Sequence, residues 1–190
     1  MFRALTVFSL VVALVIQGHG GQANMIASQQ FGEAPDHPLL GSWMMRRAPA
    51  IAGEPWILVP AEFRADGSVV FMFPMSQDRD GELMITTLAI GTWRPTGPRE
   101  ARFTAIHSNF DANGIFRGTV RIEGFPVVSA SGQSFIDDGV GAVITERDAA
   151  GFVVLDTDPS ESRSPMMATR ILPGTPVDEG PCGPLLPFCE

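Results

Sequence analysis

The chain has 190 residues, of which 45% are hydrophobic, enough for the core of one domain. Its net charge of −8, with Arg scattered singly apart from Arg46-Arg47, argues against nucleic acid or an anionic membrane surface as the main partner. With 20 Gly and 16 Pro, the composition favours many short strands joined by tight turns over long helices.

The first 23 residues have the anatomy of a secretory signal peptide. Met1-Phe2-Arg3 is a short basic start, residues 4–16 are apolar, and Gly21-Gln22-Ala23 offers small residues for cleavage. The apolar run is shorter than the ~20 residues a membrane-spanning helix needs. The expectation is an exported protein, secreted or periplasmic, with no membrane span after signal removal. Residues 24–36 read as a flexible N-terminal arm. His37 lies between Asp36 and Pro38, in a turn or cap context, and Leu39-Leu40 suits a short turn over one barrel mouth. Gly41-Ser42-Trp43 then opens the first strand, as expected where a Trp plugs one end of a small closed barrel.

From there to Leu172 the chain reads as strands. The expected runs are 42–47, 56–65, 68–75, 82–94, 99–110, 115–123, 127–137, 140–147, 152–157 and 166–172. Residues 48–55 form a loop, and 76–81 a charged turn. Three tips place Gly between apolar runs: Asp66-Gly67, Asn113-Gly114 and Ala150-Gly151. Such a Gly takes φ > 0 without a Cβ penalty, as a tight hairpin requires. The Asp111-Ala112-Asn113-Gly114 tip lacks the later acidic ligands of a calcium loop. No 12-residue window free of Gly and Pro keeps helical apolar spacing. The fold expected over residues 37–172 is therefore all-β: a single antiparallel up-and-down barrel of about eight to ten strands, with a β-sandwich as the alternative. Closure removes exposed edges, and eight strands leave room for one small ligand.

Residues 173–190 form a Pro/Gly-rich tail. Cys182 and Cys189 are expected to pair, since two cysteines in an exported chain do so more often than not. Their Cys-x₆-Cys spacing suits neither a metal site nor a Cys-x-x-Cys redox pair.

Gly41-Ser42-Trp43, together with Arg170 in the last strand, resembles the calycin superfamily of lipocalin-like barrels. The resemblance implies that Trp43 stacks with Arg170 and that the two close the barrel base through hydrogen bonds to backbone carbonyls. More closely, the chain is similar to small bacterial proteins without an assigned activity. These share an HPLxGxW opening (His37–Trp43 here), an F-x-x-D-G-S/T-V hairpin at 63–69, a G-x-W-x-x-x-G-P stretch at 91–98 and an F-D-x-x-G-x-F-x-G-T hairpin at 110–119. Those motifs are turns and packing aromatics, and they specify fold far better than function.

Candidate chemistry is sparse. His107 is the one histidine inside an expected strand, and neither face of that strand is cleanly apolar, so its direction is open. Facing inward, it would anchor a polar ligand or act as a general base. No nucleophile elbow, phosphate loop or metal-ligand set is found, and no metal or cofactor is expected. Asp137-Asp138 and the 156–158 carboxylates read as solvated strand ends. What remains is an apolar lining rich in soft Met. Phe71, Phe73, Met84 and His107 are the candidate ligand-binding residues. The first expectation is a non-catalytic barrel binding a small apolar or amphipathic molecule. The alternatives are an isomerase or cyclase-type enzyme using His107 and a structural or interaction module of the cell envelope. Oligomeric state is left open.

Overall fold

The computed structural model describes residues 36–47, 56–79, 81–159 and 165–174. The signal segment, the arm up to residue 35, the 48–55 loop and the two cysteines lie outside the described residues. The described residues form thirteen antiparallel strands and no helix. They are β1 (Gly41–Arg47), β2 (Ile57–Phe63), β3 (Ser68–Phe71), β4 (Ser76–Arg79), β5 (Glu82–Thr86), β6 (Ala89–Pro95), β7 (Ala101–Asp111), β8 (Phe116–Gly124), β9 (Val127–Val128), β10 (Ser134–Asp137), β11 (Val143–Asp148), β12 (Val153–Asp156) and β13 (Met166–Arg170).

The sheet follows the order β12-β11-β8-β7-β6-β3-β2-β1-β13-β10-β9, with β4 paired to β5 and β5 to the far end of β7. It curls into a barrel-like half-cylinder. At one end the curl closes. Phe103 faces Gly124 across β7 and β8, and a bridge between Glu100 and Val127 carries the same register into β9. Ala101 N donates to Pro126 O at 3.0 Å, and Val128 N to Arg99 O at 2.9 Å. Since β9 pairs β10, β10 pairs β13 and β13 pairs β1, the ladder there returns on itself. At the other end β8 turns to β11 instead, and β12 is left as an edge.

The three expected tips are hairpin turns: β2–β3, β7–β8 and β11–β12 are paired, and Gly67, Gly114 and Gly151 take φ of 80°, 77° and 89°. Elsewhere the strand reading needs correction. Residues 76–81, expected as a charged turn, supply β4, a fully exposed polar strand held by pairing with β5. The expected 127–137 strand is a hairpin, β9–β10, turned at Gly132. The expected 82–94 strand breaks at Thr87-Leu88 into β5 and β6. β1 meets β13, as closure of an up-and-down barrel requires, while the β3–β6 pairing skips the β4–β5 hairpin.

Alternation puts the apolar side of the central strands, such as β1, β2, β3 and β7, on the concave face, where the core is largely aromatic. Phe63 is its hub, with ring centroids 5.8 Å from Phe71, 5.8 Å from Trp93, 6.3 Å from Phe103 and 6.1 Å from Phe135. Edge contacts of this kind add about 0.5–1.5 kcal/mol each beyond area burial.

Candidate ligand-binding pocket

The closed end is built around Trp43, which is fully buried. Its indole Nε1 donates to Leu39 O at 2.8 Å, and its ring lies 5.0 Å from that of Phe135. Arg170, directly opposite on β13, holds its guanidinium carbon 4.2 Å from the ring centroid. The same guanidinium donates to Leu40 O at 2.6 Å, to Gly132 O at 2.8 Å through Nε, and to Pro38 O. One planar cation thus satisfies three carbonyls from two loops while stacking, which an ammonium could not do. Gly41 permits this approach: its φ is +113°, and a Cβ there would sit 2.9 Å from Arg170 Nη1. His37 completes the cover, with Nδ1 accepting from Leu39 N at 3.2 Å and its ring 5.5 Å from Trp93.

Moving away from this base along β1 and β13, Met45 and Met166 follow Trp43 and Ala168, and a pocket of about 270 Å³ opens. Phe71, Phe73, Phe103, Ile122 and Ile144 supply most of its apolar wall, with Arg47 at the exposed end of β1. Every one of these side chains comes from a different turn or strand position, brought together by the curl.

Two carboxylates also belong to the wall. Glu123 is buried, and its carboxylate is held by Arg102 at 2.7 Å and by Arg121. Asp137 is 1% exposed, which corrects its reading as a solvated strand end. Its oxygens accept from Phe125 N at 2.8 Å and Gly139 N at 3.1 Å, so it pins the β8–β9 bend to the loop after β10. Burial pushes its pKa up, opposed in part by those two amides. Gly124 makes room for it: a Cβ there would lie 2.3 Å from Asp137 Oδ2 and 2.5 Å from the Phe103 ring.

Of the four sequence candidates, Phe71 and Phe73 line the pocket. Met84 does not. It is buried on β5 opposite Asp111, because β5 pairs with the end of β7 beyond His107. His107 lies on the concave face of β7, in the series Ala101, Phe103, Ala105, and stands just behind the wall with its ring 5.6 Å from that of Phe73. It is half-buried. Its Nδ1 is shut off from solvent and makes no hydrogen bond, and burial lowers its pKa.

Sequence reasoning missed Met45, Phe103, Ile122, Ile144 and Met166 as wall residues. Each is an ordinary apolar strand position, and only the order of strands tells a pocket wall from a packed core. For Asp137 a local signal existed, since an Asp two residues before a Gly is a common turn cap. Among the described residues no cluster of three metal-ligating side chains occurs, and no helix is long and apolar enough to cross a membrane. No protein-family model, curated protein or solved structure matches the chain.

Proposed function

We propose that this is an exported, non-catalytic binding protein of calycin-like design that takes one small apolar or amphipathic molecule into the pocket beyond Phe71. The observation that carries the reading is the pocket itself, a mainly aromatic and aliphatic space of about 270 Å³ on the concave face of the half-barrel. That volume is below the usual ~300–1,000 Å³ of ligand sites and equals roughly nine water volumes at ~30 Å³ each. A ligand of about ten non-hydrogen atoms fits.

Native mass spectrometry of the protein as purified tests this. A co-bound species of up to about 160 Da, the mass that nine water volumes imply, supports the reading. An apo mass that stays unchanged on exposure to apolar compounds of that size rejects it.

The isomerase or cyclase alternative rests on His107, whose Nδ1 has no carboxylate to fix its tautomer. The interaction-module alternative has one observation in its favour. Val153, Val154 and Leu155 of the edge strand β12 are 48%, 62% and 44% exposed, and an apolar edge can add to another sheet. Concentration-dependent association that a Val154→Lys substitution abolishes would favour that alternative.

A further inference from the structure

We infer that His107 and Glu146, in one row across the concave face just beyond the pocket wall with Val120 between them, form a head-group site for an uncharged hydroxyl or carbonyl at the end of an otherwise apolar ligand. This rests on the ligand-binding reading above and names the chemistry that the site selects.

The antiparallel registers place the two residues in one row across the concave face. His107 faces Val120 on β8, and Val120 faces Glu146 on β11. One step toward the closed end, the next row is Ala105, Ile122 and Ile144, and the last two are pocket wall. Two residues along a strand span about 7 Å, so a ligand whose apolar body fills the pocket carries its end to the His107–Glu146 row. Phe73, in the wall and against the His107 ring, marks the passage between the two.

The two ends of the row are polar, the buried Val120 between them is apolar, and the row carries no net charge. Arg79 of β4 reaches across to Glu146 with two hydrogen bonds, 2.9 and 2.8 Å, and cancels its charge. On the imidazole, Nδ1 is buried without a partner, and Asn109, two residues along β7, is a polar neighbour of the ring. Burial lowers the pKa of the ring and so favours its neutral form. A neutral imidazole nitrogen accepts from a hydroxyl or, when it holds the proton, donates to a carbonyl. It gives a carboxylate no cation, and the Arg79-bound Glu146 gives an ammonium little net anion. Deeper charge is also answered: Glu123 is paired with Arg102 and Arg121, and Asp137 with two backbone amides. Arg47, at the exposed end of the wall, is the competing anchor for an anion.

Four probes of matched size separate these possibilities by calorimetric titration: 1-octanol, octanoate, octylammonium and butylbenzene. The expected result is 1-octanol bound at least tenfold tighter than either ion. His107→Leu should weaken 1-octanol about tenfold and leave butylbenzene within twofold. His107→Gln, which keeps a hydrogen-bonding end, should restore part of the loss, and its circular dichroism shows whether the fold survives. Equal 1-octanol affinity in the native protein and His107→Leu overturns the assignment, as does tighter binding of octanoate that Arg47→Leu abolishes. If butylbenzene binds and 1-octanol gains nothing over it, the pocket stands and the head-group site falls. If no probe binds, the ligand-binding reading falls with it.

Discussion

Trp43 anchors the closed end, because burial, a hydrogen bond and a stacked cation meet on one ring. Trp43→Ala should cost about 3–5 kcal/mol, read as a shift in chemical denaturation. A loss under about 1 kcal/mol, the scale of a surface change, would mean the ring is not an anchor. His107 acts on a different axis. Burial lowers its folded-state pKa, so the folded protein resists a proton that the unfolded chain accepts near ~6.5. The stability this contributes is full above that value and is lost as pH falls from there toward the lower folded pKa. Burial outweighs the opposing pull of Asn109, Glu146 and the Ser108 backbone, and Arg79 adds to it. Asp137 has the opposite sign, since its raised pKa makes the fold gain stability as pH falls through its range. Comparing native protein with His107→Leu between pH 7.5 and 5 isolates the first effect. The native protein should lose stability on acidification, and the variant should lose less.

Elements were legible where a single residue type has a local job. Asp66-Gly67 and Asn113-Gly114 announce hairpins because only Gly takes those backbone angles cheaply, and Gly67 and Gly114 do take them. The β9–β10 turn carried a comparable mark in Ser131-Gly132, but the apolar residues on both sides masked it as one strand. Strand β4 left no apolar alternation at all. It is held by its ladder to β5 and by Arg79 reaching Glu146, and both are long-range facts. Partner choice between distant strands, such as β5 with the far end of β7, has no local pattern either. Two element-scale outcomes follow. Gly124→Ala forces a methyl into Asp137 and Phe103 at the β8–β9 bend, and overpacking there should cost about 1–3 kcal/mol and shrink the pocket. Glu146→Gln removes a half-exposed ion pair, so global stability should change by under about 1 kcal/mol. Amide exchange in β4 and β5 should quicken, because their tie across the mouth is gone. Slower or unchanged exchange would show that the clasp does not hold the hairpin.

At the scale of the molecule, the two ends of the half-barrel have separate tasks. One is closed by Trp43, Arg170 and the β9 bridge, with its polar groups satisfied internally. The other is split, with the pocket just inside it and the His107–Glu146 row beyond the pocket wall. The residues that make the chain recognisable, His37 to Trp43, belong to the first end. The pocket wall is drawn from single positions on many strands and leaves no contiguous motif. Phe71 and Phe73 could be picked out because they alternate in one apolar run, whereas Met45 and Met166 become neighbours only when the chain's first and last strands pair. Ligand saturation should stabilise the whole sheet through linkage, by about 2.7 kcal/mol at a hundred times the Kd. The most direct measurement is a calorimetric titration of butylbenzene into the native protein and into Ile122→Trp, whose larger side chain fills the pocket. The account predicts one-to-one binding with a negative heat-capacity change in the native protein, and no binding to a variant that is still folded. Equal binding by both proteins, or none by the native one, would contradict it.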